Sequence, residues 1–311
     1  MDGSGRHPLV LPALVVGVLA ISTAAILIKL CADAPAVVIA AARLGLATLI
    51  LVPTATAIQG RALWDIPRRH IKHLVLAGVF MAAHFLFWIT SLKHTSVLSS
   101  VVIVTTNPIF VGIASFLLFR ERVGRRLVAS ILVAGAGGAL IALSDARHEG
   151  GSLYGDALAL GGAVMASSYF LVGRRVRGEV HFLSYITPVY AVSAVILASV
   201  ALLCGHSFTG YAPATYLYFV LLAVGPQLVG HSALNFSLRY VSATLVAIVV
   251  LGEPIGSAVL ACILLEESVT VSQIVGGGLI LAGIFLAVRN RPPVPPPEPG
   301  APDSPGALSP P

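Results

Sequence analysis

Glu253 is the residue in this 311-residue chain best placed to do chemistry. It has nine apolar or small residues on each side, and Pro254 follows it, removing a backbone donor. A carboxyl in a low-dielectric cavity can bind and release a proton near neutral pH. Ionisable groups within a bilayer are costly and are therefore functional candidates. Two readings of Glu253 stand: a proton-coupling or cation-binding group, or a carboxyl neutralised for packing by Arg43 or a backbone donor. Arg43 lies in another apolar stretch; its planar fork suits a carboxylate, on a solute or on Glu253, and it can equally be a structural anchor. His84 and Trp88 fall one turn apart on one helical face, and Phe85 beside them offers an aromatic wall or plain packing. Gln227, His231 and Asn235 recur every four residues, a polar stripe that lines a cavity or bonds to a neighbouring helix. Asn107-Pro108 and Thr187-Pro188 with Tyr190 are further irregular points at which carbonyls are freed.

These side chains need a membrane bundle to position them. Hydrophobic residues make up 57% of the chain and charged residues 10%, a balance that a water-facing surface cannot carry. Apolar stretches long enough to cross a ~30 Å hydrocarbon layer recur at 9–30, 35–58, 74–92, 97–119, 127–143, 155–173, 183–204, 214–236, 242–264 and 272–289. The expected fold is therefore an all-α integral membrane protein of ten transmembrane helices. With both termini cytoplasmic, fifteen Lys and Arg fall on the inside and three (Lys29, Lys93, Arg147) on the outside. The net charge of +6 thus reads as a topology signal, and no nucleic-acid partner is implied. Cys31, Cys204 and Cys262 have no paired or metal-ligand spacing and read as small hydrophobes. The first stretch reads as a membrane span, its length exceeding that of a usual signal h-region. Residues 292–311 hold 10 prolines and read as a disordered cytoplasmic tail.

A shift of 146 residues superimposes the two halves: Ser91-Leu92-Lys93 on Ser237-Leu238-Arg239, Pro108-Ile109 on Pro254-Ile255, Glu121 on Glu267, and Ala136-Gly137 on Ala282-Gly283. Each half holds five spans, an odd number, so the second half must enter the membrane with opposite orientation. Inverted five-helix repeats point to alternating access around a central site. The division this implies is a cytoplasmic N-terminus 1–8, a first repeat 9–143, an external connection 144–154, a second repeat 155–289 and a cytoplasmic tail 290–311.

Each half resembles the EamA-like domain of the drug/metabolite transporter superfamily. The resemblance is carried by Ala41-Ala42-Arg43-Leu44, Ser91 to Ser96, Asn107-Pro108 to Arg120-Glu121-Arg122, Gly155-Asp156, Ser237 to Tyr240, Pro254 to Glu267, and Gly276 to Gly283. It covers roughly residues 10–290. Met165 departs from a common Trp, and Glu253 from a usual apolar residue. The resemblance implies ten helices, both termini inside, and export of amino acids, other metabolites or drugs across the plasma membrane. No phosphate loop, zinc-binding His pair, Asp-rich diphosphate motif or nucleophile elbow is present, so neither a catalytic constellation, a metal nor a cofactor is expected. The expected function is proton-coupled secondary transport of a small solute through a cavity of Glu253, Arg43, His84, Trp88, Gln227, His231, Asn235 and Asn107. The rival is an intramembrane enzyme acting on a lipid or small amphiphile, with Glu253 and His231 as acid and base.

Overall fold

The computed structural model describes residues 8–95, 97–119, 124–145, 152–265 and 271–289. Glu121, Glu266, Glu267, Arg147 and the proline-rich tail lie outside the described residues. Among the described residues every regular element is helical. The first half holds α1 (Val10–Ser22), α2 (Ala24–Leu30), α3 (Ala36–Gln59), α4 (Arg68–Ser91), α5 (Val97–Val104), α6 (Asn107–Phe119) and α7 (Arg125–Asp145). The second holds α8 (Leu153–Arg177), α9 (Phe182–Leu203), α10 (Pro213–Leu222), a π-helical stretch Ala223–His231, α11 (Ser232–Ser237), α12 (Ala243–Val250), α13 (Glu253–Leu265) and α14 (Val271–Arg289). Helices are the form an apolar segment must take in lipid, where each backbone polar group needs a partner within its own segment.

Seven helical segments are long and apolar enough to cross a bilayer, from Val10–Leu30 to Ala243–Leu260, with mean hydropathy between 1.3 and 2.5. At three of the ten expected positions the apolar stretches are shorter: Ser100–Ala114, Val128–Leu140 and Ile274–Leu286. The expected span 97–119 is interrupted at Thr105–Thr106, where α5 stops and α6 begins. Large apolar side chains cover the outside of the bundle, among them Leu49, 72% exposed, and Leu132, 66% exposed. Such a surface is stable against lipid tails and would aggregate in water.

The 146-residue offset recurs in the elements themselves. α5, α6 and α7 begin at residues 97, 107 and 125, and α12, α13 and α14 at 243, 253 and 271. Each half thus breaks one segment just before a proline-bearing helix start, Asn107-Pro108 or Glu253-Pro254. Pro is tolerated there because a first-turn residue needs no intrahelical donor. Pro188, by contrast, sits inside an unbroken α9.

The main packed pairs are α4 on α8, α7 on α14, and α3 on α9. α3 and α9 run antiparallel: Gln59, at the end of α3, meets His181 and Ser184 at the start of α9, while Asp33, just before α3, meets Ala212, beyond the end of α9. α7 and α14 approach through glycines, as membrane helices commonly do. A β-carbon on Gly137 would collide with the Gly276 carbonyl, and one on Gly283 would fall 2.8 Å from the Ser130 carbonyl oxygen.

Candidate functional site

A cavity in the interior of the bundle is lined by Arg43, His84, Trp88, Asn107, His231 and Glu253, with Met81, Thr105, Tyr169 and Phe170 completing its wall. Six of the eight sequence-predicted site residues therefore meet, contributed by α3, α4, α6, the π-helical stretch and α13. Gln227 and Asn235 are fully buried and are not among the residues lining the cavity; Gln227 bonds to Arg43 across the bundle, and Asn235 to its own helix.

Arg43 is wholly buried. Its Nε donates to Gln227 Oε1 at 2.9 Å, and its guanidinium carbon lies 4.1 Å above the Phe85 ring centroid. The π-helical stretch contains Pro226, which cannot continue the ordinary ladder, and π-segments are frequent at functional sites. Gln227 follows this proline, and its own carbonyl accepts from Tyr190 Oη at 3.3 Å. Phe85 thus supports Arg43 from below and does not line the cavity. Asn235 donates from Nδ2 to the His231 carbonyl at 2.7 Å, so it belongs to its own helix.

His84 Nδ1 lies 3.0 Å from the Gly162 carbonyl oxygen. A carbonyl can only accept, so this nitrogen carries the proton and Nε2 is left with a lone pair when the ring is neutral. The ring stacks on Trp88 with centroids 6.0 Å apart and planes 8° from parallel, and His231 lies 6.4 Å away. Trp88 Nε1, His231 Nδ1 and Asn107 Oδ1 are buried and have no hydrogen-bond partner among the described residues.

Glu253 is 6% exposed, and Asn107 is 3% exposed. No Arg43–Glu253 ion pair within 4.0 Å is formed, so the guanidinium and the carboxyl group line one cavity without direct contact. α13 is anchored to α1 through backbone groups: Ser257 Oγ donates to the Ser22 carbonyl at 3.0 Å, and Ser22 Oγ to that of Glu253 at 3.4 Å. Both contacts need Gly256, which leaves room for Ser22. Met81, Thr105, Tyr169 and Phe170 gave no signal in the sequence beyond membership of apolar stretches. Among the described residues no group of three His, Cys, Asp or Glu is arranged to hold a metal ion.

Two acidic contacts join helix ends outside the cavity lining. Asp33 accepts from the Ala212 amide at 2.9 Å and from Thr215 Oγ1 at 2.7 Å. The Ala212 amide, then Thr215, hold the Asp33 carboxyl below its ordinary 3.8. Glu179 accepts from Arg69 and, at 3.0 Å, from His70 Nε2. The His70 hydrogen bond, aided by the Arg69 charge, holds Glu179 below its ordinary 4.5. Asp33 and Glu179 are 146 residues apart, as are Arg69 and Thr215. A carboxylate contact thus recurs at equivalent positions with different donors, once beside the start of α3 and once beside its end.

A helical bundle with apolar flanks and a polar interior cavity is the architecture of a membrane transporter, and comparison with known proteins specifies which. The EamA-like transporter family matches twice, over residues 9–143 and 153–289, and the chain belongs to that family. It is a multi-pass membrane transporter whose partners are a small solute and the lipid bilayer. An uncharacterized transporter of Archaeoglobus fulgidus is 28% identical over 61% of this chain and 67% of its own length. The uncharacterized transporter YetK of Bacillus subtilis is 24% identical over 69% of this chain and 66% of its own length. A protein of known crystal structure superimposes with a TM-score of 0.74 over 89% of this chain and 96% of its own, at 19% identity, a likeness of fold alone.

Proposed function

We infer that this chain is a proton-coupled secondary transporter that exports a small metabolite, amino acid or drug by alternating access. Its ten crossings form two inverted five-helix repeats, 9–143 and 155–289, joined by an external connection at 144–154. Residues 1–8 and 290–311 are cytoplasmic, and the bundle sits in the plasma membrane. Glu253 carries the coupling proton, and Arg43, His84, Trp88, His231 and Asn107 face the solute. Gln227 and Asn235 hold that wall in place.

The observation that carries this reading is the doubled acidic contact. Inversion requires equivalent helices to run in opposite directions, and α3 and α9, offset by 146 residues, are antiparallel. It also requires a contact on one face to have its counterpart on the other, which Asp33–Thr215 and Glu179–Arg69 supply. Two such latches, opened in turn, let the cavity meet each side of the membrane alternately. The exclusive use of one latch at a time is what separates a transporter from a channel.

The test is reconstitution into liposomes with an imposed pH gradient and a mixed pool of amino acids, polyamines, nucleosides and cationic dyes. Saturable, gradient-dependent movement of one class, lost in Glu253→Gln at normal protein level, is the expected result. Gradient-driven movement that persists unchanged in Glu253→Gln overturns the coupling role, and a covalently altered product establishes the enzyme reading instead.

A further inference from the structure

We propose that the cavity is a receptor for a monoanionic carboxylate, bound by both terminal nitrogens of Arg43. This deepens the transport reading above by naming the chemical class of the solute, and it rests on that reading only for the movement of the solute, not for its binding.

The argument starts from the donors of one side chain. A guanidinium presents five N–H groups in a fixed fork and remains charged in any protein setting. In Arg43 the Nε edge is spent on Gln227 and the face on Phe85. Nη1 and Nη2 are buried and have no partner among the described residues, although Arg43 lines the cavity. Leaving charged donors unsatisfied away from water is strongly unfavourable. The arrangement that satisfies both nitrogens together is a pair of coplanar oxygens, which a carboxylate provides in a bidentate geometry. Gln227 and Phe85 fix the plane of the fork in advance, so little freedom is lost when the anion arrives.

The rest of the wall limits what that anion can be. Arg43 is the permanently charged side chain in the lining, and a single guanidinium balances a single negative charge on the solute. A phosphate dianion would demand further cations, and the lining offers Arg43 with two histidines whose rings sit against aromatic neighbours. The free Trp88 Nε1–H adds one more donor close to the same space. Trp88, Tyr169 and Phe170 supply the apolar surface against which the body of the solute packs.

The chain has two tryptophans, Trp64 and Trp88. Trp64 is 54% exposed and lies in the turn after α3, away from the cavity lining. Trp64→Phe therefore leaves Trp88 as the single fluorescent reporter of occupancy in the detergent-solubilised full chain. Titration with 3-phenylpropionate, its neutral amide and phenethylamine separates a carboxylate receptor from an aromatic pocket and from an amine site. The expected result is a saturable change in Trp88 emission with the carboxylate, at least about tenfold weaker with the amide and the amine, the scale of one lost bidentate charge contact. Arg43→Lys, which keeps the charge and removes the fork, is expected to weaken carboxylate binding by a similar factor, and it covers the case in which Arg43→Gln does not fold. Equal binding of acid and amide, preference for the amine, no saturable change with the acid, or indifference to Arg43→Lys each overturns the proposal. Because this is a binding measurement, a positive result stands even if liposomes show no flux, and flux of an uncharged solute leaves the transport reading intact while this one fails.

Discussion

Asn107 and Glu253 occupy the same place in their two halves. Each is the first residue of the helix that follows a broken segment, each precedes a proline, each is nearly wholly buried, and both line one cavity. The repeat has thus placed a neutral amide in one half and an ionisable carboxyl at the equivalent position of the other. Asn107→Glu in a Glu253→Asn background exchanges the two. The expected outcome is restored gradient-driven transport in the exchanged protein, with each single variant near the level of empty vesicles, measured in the liposome assay. Activity in Glu253→Asn alone would remove the carboxyl from the mechanism.

Gln227 is expected to matter through Arg43 and not through the solute. Gln227→Leu leaves the Nε of a fully buried guanidinium without its acceptor. The cost is about 3 kcal/mol, in the range for orphaning a buried charged donor. Thermal unfolding of the solubilised protein checks this. An unchanged melting temperature would mean that water replaces the amide and that the Arg43 fork is not held by Gln227.

The latches differ in chemistry and so can be biased separately. In a background with Cys31, Cys204 and Cys262 replaced by alanine, Ala166→Cys places a thiol in the cavity wall. Asp33→Asn is expected to open one end and Glu179→Gln the other. A membrane-impermeant thiol reagent should therefore label the two variants from opposite sides. Labelling from the same side contradicts paired latches.

The same latches give a pH dependence of known sign. Both carboxyls sit below their ordinary values of 3.8 and 4.5 in the folded chain. A group whose value is lowered by folding contributes stability that is present in full above its ordinary value and lost as pH falls through the lowered one. The melting-temperature difference between the unsubstituted protein and Asp33→Asn or Glu179→Gln is thus expected to be constant near neutrality and to shrink toward about pH 3. A difference that grows with acidification has the wrong sign.

Gly137 and Gly283 set the distance between α7 and α14. Gly137→Val forces the helices apart and should cost about 1–3 kcal/mol, the usual range for overpacking. Gly278→Val is the control, because a β-carbon at Gly278 meets nothing within 4 Å. Comparison of the two melting temperatures isolates the helix contact from the general cost of valine in a helix.

Much of this protein was legible from one dimension. Apolar stretches imply helices because lipid offers no partner to a free backbone group, and the solvent is thus built into the composition. The 146-residue offset of Pro108 and Pro254, or of Gly137 and Gly283, survives in the starts of the helices because both are backbone requirements, a missing donor and a missing side chain. Glu253 stood out because a carboxyl among apolar residues has no cheap explanation. The tertiary structure alone decided which polar groups find one another. Arg43 and Gln227 are 184 positions apart, and Asp33 and Thr215 are 182. Gln227 and Asn235 read in sequence as partners of His231 on one stripe. A hydrogen bond forms within about 3 Å and along a preferred direction. Sequence periodicity gives only the side of a helix on which a donor lies; the packing of α3, α4 and the π-helical stretch against one another determines what it meets there.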